Sequence, residues 1–156
     1  MNLTILVLGK NKDEYITTAE NELLKHLRAF CTVEIVTIPN SRGIKNQSVE
    51  KIKEIEGKSL LDKIPKQSYI IALDEHGKEF TSKRFAAHLS KSLVTYNKPF
   101  YFVIGGPYGL SNEVLDRADE KLALSRMTFT HQMVRIILLE QLYRAFTIMK
   151  GKKYHY

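Results

Sequence analysis

Pro99-Phe100-Tyr101-Phe102-Val103-Ile104 runs directly into Gly105-Gly106-Pro107-Tyr108-Gly109-Leu110. The first six residues are apolar, aromatic or β-branched, as in a short strand buried on both faces. The turn that follows removes two side chains at Gly105 and Gly106, and Pro107 then fixes the chain direction while offering no N–H. Such a turn at a strand end suits a flat ring, such as a nucleobase, lying against main-chain groups. A lone Gly-Gly-Pro also serves as a plain turn, so its meaning depends on what surrounds it.

Similar apolar runs occur at 3–8, 33–38 and 69–73, with a shorter candidate strand at 121–124. Helical patterns fill the intervals. Tyr15, Ala19, Leu23, Leu24 and Leu27 share one face of the first, and Val49, Ile52, Ile55, Leu60 and Leu61 most of one face of the second. Phe85, Leu89 and Leu93 recur every fourth residue in a third, with Thr81 or Ser82 as N-cap. Ser111 can cap a short helix through Ala118, and Thr130 a final one to about Met149. Strand and helix alternate throughout, which predicts an α/β fold with a mostly parallel sheet and helices on both faces. No repeat or linker interrupts residues 1–156, so a single domain is expected.

The final helix is apolar around most of its circumference: Val134, Ile136, Ile137, Leu138, Leu139, Leu142, Tyr143 and Phe146 do not fall on one stripe. It needs burial on more than one side. The expected second surface is another copy of the chain, giving a homodimer; a helix wrapped within one chain is the alternative.

The chain carries 24 Lys and Arg against 17 Asp and Glu, a net charge of +7, with 44% hydrophobic residues. The composition is globular, and the charge favours an anionic partner such as nucleic acid. The apolar start stops at Gly9-Lys10, too early for a signal-peptide core, and no run is long enough to span a membrane; a cytoplasmic location is expected. The lone Cys31 reads as a buried core thiol.

Several chemistries are excluded by spacing. His26, His76, His88, His131 and His155 lie far apart and Cys31 is alone, so no metal site is expected. Gly57-Lys58-Ser59 imitates the end of a phosphate-binding loop, but Ile52 stands where its first glycine belongs and the stretch lies in a helical pattern. There is no Gly-x-Gly-x-x-Gly after the first strand and no Gly-x-Ser-x-Gly elbow.

What remains are three loops after strands: Asp74-Glu75-His76-Gly77-Lys78, the 105–110 turn, and Ser125-Arg126-Met127-Thr128-Phe129-Thr130. Parallel sheets bind ligands at these strand ends. His131 and Arg135, four apart at the start of the last helix, share a face beside the third loop and are candidates for orienting or stabilising an acceptor. Arg144 pairs with Glu140 in a structural role.

Taken in order, Leu73-Asp74 with Gly77-Lys78, the basic loop Ser41-Arg42-Gly43-Ile44-Lys45-Asn46, Ile104 to Ser111, Leu124 to His131, Val134-Arg135, Leu142-Tyr143-Arg144-Ala145 and the tail Tyr154-His155 resemble the RlmH family. These are bacterial SPOUT methyltransferases acting on N3 of a pseudouridine in 23S ribosomal RNA. The resemblance covers essentially the whole chain. It implies a C-terminal trefoil knot, which nothing in the pattern shows and which chain-threading statistics disfavour. It also implies S-adenosylmethionine bound by Leu73, Gly105, Leu124, Ser125, Arg126, Met127, Thr128 and Phe129.

Methyl transfer from a sulfonium is an in-line displacement needing no metal. The protein must position the acceptor and manage the imide proton. His131 is one candidate proton acceptor. By resemblance the tail reaches a partner subunit's site, making His155 the other. Lys152, Lys153 and Tyr154 suit phosphate contact and base stacking, with Arg42, Lys45, Lys10 and Lys12 as further RNA contacts. Relatives often follow Tyr-His with a basic residue, where this chain ends in Tyr156. The assembled ribosome is the expected substrate, because one small domain offers few reading elements. Two other readings stay open: a non-catalytic ribosome- or RNA-binding module of the same fold, and a methyltransferase for another RNA such as tRNA.

Overall fold

The computed structural model describes residues 1–153. Tyr154, His155 and Tyr156 lie outside the described residues. In chain order the elements are β1 (Asn2–Leu8), α1 (Glu14–Leu27), β2 (Thr32–Ile38), a 3₁₀ turn at Ile44–Asn46, α2 (Val49–Leu61), β3 (Tyr69–Glu79), α3 (Ser82–Tyr96), β4 (Phe100–Val103), α4 (Asn112–Arg117), β5 (Glu120–Ala123) and α5 (His131–Met149). The strands form one sheet in the order β2-β1-β4-β3-β5, every pair parallel.

Side chains alternate across the sheet, and each set builds its own core. Leu3, Ile5, Val7, Tyr69, Ile71, Phe100, Phe102 and Leu122 pack with Leu27 of α1, Phe85 and Leu89 of α3 and Leu138, Leu139, Leu142 and Phe146 of α5. Leu6, Leu8, Ile70, Ala72 and Val103 pack on the opposite face with Leu60 of α2 and Val114 of α4. Helices cover both faces, as the alternating pattern predicts. The caps agree too: the side chains of Thr81, Ser111 and Thr130 accept from the N–H groups of Arg84, Val114 and Met133. Cys31 is buried, and Gly57-Lys58-Ser59 lies within α2.

Several expectations are corrected. Tyr15 is exposed and its neighbour Ile16 is buried in its place, because the inward face of α1 begins one residue later. Val49 is also exposed, while Glu56 and Gly57 are buried on the inward face of α2. Residues 74–78 are not a free loop. β3 continues to Glu79 through a register shift between Leu73 and Lys78, both of which pair with Leu122. The crossing is tight: a Cβ on Gly77 would lie 2.6 Å from the Lys121 carbonyl carbon, so only glycine fits there.

α5 packs on α1 and α3 and against the sheet between them. Three surfaces within one chain therefore account for much of its apolar circumference. After β5, at the sheet edge, the chain crosses the carboxyl ends of the strands to begin α5 beside β1. Among the described residues no helix is long and apolar enough to cross a membrane.

Candidate active site

The carboxyl ends of β3, β4 and β5 carry three segments that enclose a cleft of about 930 Å³, within the range of small-molecule sites. Leu73 to His76 form one wall, Ile104 to Leu110 the second, and Leu122 to Val134 much of the third, with Lys53 of α2 and Asn112 and Leu115 of α4 completing it. Its floor is apolar through Leu73, Ile104, Leu122 and Leu124, while its rim is polar through Asp74, Glu75, Ser125, Thr128 and Thr130. This combination suits a ligand with a flat ring and several polar groups.

The glycine turn is built differently from the reading that it clears space for a ring. A Cβ on Gly105 would meet the carbonyl carbon of Gly109 at 2.8 Å, so its bare Cα lets the turn fold on itself. Gly109 closes the turn with φ +85°, donating its N–H to the Gly106 carbonyl at 3.0 Å. A Cβ on Gly106 would lie 2.5 Å from Oε2 of Glu56. The glycines make room for the protein itself, and the resulting turn exposes its backbone to the cleft.

Leu73, Gly105, Leu124, Ser125, Met127, Thr128 and Phe129 all line this cleft, as does His131. Arg126 does not. Its side chain points outward to Glu79, Nε to Oε2 at 2.9 Å, beside a smaller hollow that also touches Glu75, His76, Gly77 and Thr128. Thr128 donates to Glu75 at 2.8 Å, so two side-chain contacts tie the 125–130 segment to the extension of β3.

Arg135 is also absent from the cleft wall. It is 2% exposed, and its guanidinium donates to the carbonyls of Leu8 at 3.0 Å and Gly9 at 2.9 Å, capping the end of β1. Glu20 lies 4.0 Å from it and accepts from Asn11 at 2.8 Å. The expected pairing of His131 and Arg135 on one acceptor is thus divided: one turn of α5 separates a side chain at the cleft from one in the core. They still interact, because burial and the positive charge of Arg135 together hold the His131 imidazole below its ordinary pKa of 6.5. Burial likewise lowers the guanidinium of Arg135 and raises the carboxyl of Glu20.

Lys10, Lys12, Arg42 and Lys45 are exposed on the loops after β1 and β2, at the same end of the sheet as the cleft. Lys152 and Lys153 are exposed at the far end of α5, where the Lys152 ammonium sits 5.2 Å over the ring of Phe30. Tyr154 and His155 fall outside the described residues. The Arg144–Glu140 pair forms at 2.6 Å. No group of three or more potential metal ligands occurs among the described residues.

The reading of loops missed Lys53 and Glu56, both on α2. Glu56 was findable. The row Ile52, Glu56, Leu60 places a carboxylate in line with two apolar residues, and all three are buried.

Comparison with known proteins agrees with this geometry. The family model described as "Predicted SPOUT methyltransferase" matches residues 1–155. The chain is 42% identical over 156 residues to "Ribosomal RNA large subunit methyltransferase H" of Bacteroides thetaiotaomicron, covering 100% of this chain and 99% of the relative. It is 45% identical over 158 residues to "Ribosomal RNA large subunit methyltransferase H 1" of Clostridium perfringens, covering 99% of each. A protein of the first name from Parabacteroides distasonis is 42% identical, with 100% of this chain and 99% of the relative covered. A parallel α/β sheet with its cleft at the strand ends, matched over nearly its whole length, makes this chain a member of the SPOUT methyltransferase family.

Proposed function

We propose that this chain transfers a methyl group from S-adenosylmethionine to N3 of a pseudouridine in 23S ribosomal RNA, on the assembled ribosome. The observation that carries the reading is the single cleft in which Leu73, Gly105 and the 124–129 segment converge with His131. The residues fit the cofactor: an apolar floor for the adenine, exposed backbone at the glycine turn, and hydroxyls and carboxylates at the rim for ribose and amino groups. When bound, it supplies an electrophilic methyl.

The chain's own residues then have three tasks. Leu73, Leu122 and Leu124 keep water from the floor. The 125–130 segment, tied down through Thr128 and Glu75, fixes the approach of the acceptor. His131, whose imidazole pKa is lowered by burial and by the charge of Arg135, takes the N3 proton as the imide attacks. Arg135 serves this indirectly, through charge and by anchoring the start of α5. Arg126, outside the cleft wall, contributes through its backbone.

Lys10, Lys12, Arg42 and Lys45, ringed around the cleft end, engage RNA phosphates. Lys152, Lys153, Tyr154 and His155 are assigned to the RNA side of a partner subunit's site, with His155 as the alternative to His131 as acceptor of the one N3 proton. The direction of α5 supports this. Its 19 residues carry the chain about 28 Å from its own cleft. The exposed apolar residues Met127, Phe129 and Met133 beside that cleft support a homodimer seated on the first turn of α5. The C-terminal knot that the family implies is supported by the close crossing of Gly77 over β5 and by Arg135 reaching Leu8 and Gly9. A cytoplasmic location follows from a ribosomal substrate.

Ribosomes lacking the modification, incubated with methyl-labelled S-adenosylmethionine and digested for mass spectrometry, test the assignment. Label on one 23S pseudouridine is expected. Label in another RNA, on a ribose oxygen, or equally on a free stem-loop overturns it.

A further inference from the structure

Glu56 is 7% exposed, and its Oε1 has no hydrogen-bond partner among the described residues. No cation offsets it: the ion pairs of the described residues include none to Glu56, although Lys53 stands one turn away on α2. Its carboxyl is pressed against the bare Cα of Gly106, where a Cβ would lie 2.5 Å from Oε2 and 3.1 Å from Oε1. Gly106 in turn lines the cleft. A buried carboxyl without a partner is costly, and Leu or Met would fill the same space more cheaply. Such an exception to an apolar core calls for a reason other than packing, and functional sites are where such exceptions are expected.

We propose that Glu56 is the buried counter-charge of the cleft, favouring, across the bare Cα of Gly106, a ligand with positive charge on sulfur over the neutral thioether left after transfer. This rests on the cofactor reading above. The chemistry follows from position. In the low-dielectric wall of a protein the field of a carboxylate reaches further than in water, and no ion pair among the described residues neutralises it, the Lys53 ammonium one turn away being unpaired with it. Burial raises the proton affinity of this carboxyl, so a neighbouring cation stabilises its ionised form, and that help ends when the sulfur loses its charge. Glu56 touches no reacting atom. It is a positioning and specificity residue that holds the donor and loosens the product.

Calorimetric titration of the intact protein with S-adenosylmethionine and with S-adenosylhomocysteine tests this without reference to turnover. For Glu56→Gln, which keeps shape and removes charge, affinity for the sulfonium compound is expected to fall about tenfold while that for the thioether stays within about twofold. Glu56→Asp and Glu56→Asn repeat the comparison at one smaller volume, and the Asp variant is expected to retain more of the preference. If both ligands weaken equally, or neither changes, the carboxyl has only a packing role and the inference fails while the cofactor reading stands. If the unmodified protein binds neither compound, both fail.

Discussion

At the amino-terminal ends of the strands the buried Tyr69 and the polar groups around it, half-buried at His88 and Glu120 and exposed at Asp119, come with partners. Tyr69 donates its hydroxyl to Glu120 at 2.6 Å, His88 meets the other oxygen of Glu120 at 2.6 Å, and Asp119 accepts from the Ile70 N–H at 2.8 Å. Tyr96 stacks on Tyr69 with ring centroids 4.4 Å apart. Among the described residues only the Ser68 hydroxyl is left over there. At the carboxyl ends the balance is reversed: Glu56 Oε1, Asn11 Oδ1 and Arg135 Nε are all buried without partners among the described residues. The same sheet is thus closed at one end and chemically unfinished at the other. Satisfied networks hold a fold together; unsatisfied groups are tolerated where a ligand, a proton or an acceptor is to be managed.

This contrast can be broken most sharply at His131. His131→Asn is expected to lower the single-turnover rate about a thousandfold with little change in cofactor affinity. Because its pKa is lowered from 6.5, activity is present above the lowered value and lost as pH falls through it. Folding stability follows the same sign, declining as pH drops below 6.5, where the unfolded imidazole takes a proton that the folded one refuses. A rate that is flat across that range would remove His131 from the mechanism.

Next in size is Gly105→Ala. The new Cβ meets Gly109 backbone and must open the turn, so kcat/KM should fall about a hundredfold, while thermal unfolding shows whether the fold survives.

The amino end should respond in the opposite way. Glu120→Ala leaves Tyr69 and His88 without their shared acceptor and should cost about 2 kcal/mol of stability, read by urea unfolding, with turnover unchanged below the transition. A loss of turnover there would mean that the two ends are coupled.

The smallest effect is expected at Arg126→Ala. Its pair with Glu79 is 86% exposed on the Arg side, worth about 0.5 kcal/mol or less. A substantial loss of S-adenosylmethionine affinity would return its side chain to the cofactor site.

Much of this was legible in the chain. The apolar runs mark β1 to β4 and the caps Thr81, Ser111 and Thr130 mark helix starts, because short-range hydrogen bonds and burial act on neighbouring residues. Most residues of the cleft were legible as loops at strand ends; Lys53 on α2 and Asn112 and Leu115 on α4 were not. Strand order was not, since it depends on which segments meet across large sequence separations. Residues 74–78 look like a loop because polar side chains follow a strand, yet their backbone rejoins β5. Arg135 looks like a site residue by its spacing from His131 and Arg126 by the family resemblance, and a turn of helix or a rotamer sends each elsewhere.

By itself the sequence determined the α/β class, the capped helices, the loops that bear the chemistry and, through ordered motifs, the family resemblance; these reside in residue types and local periodicity. Only the tertiary structure decided that Gly105 and Gly106 make room for Gly109 and Glu56, that Arg135 caps β1 while His131 faces the cleft, and that Lys152 and Lys153 end far from their own site. The physical reason is that steric exclusion and burial act on contacts between distant parts of the chain, and the periodicity of one segment carries no information about which other segment will lie against it.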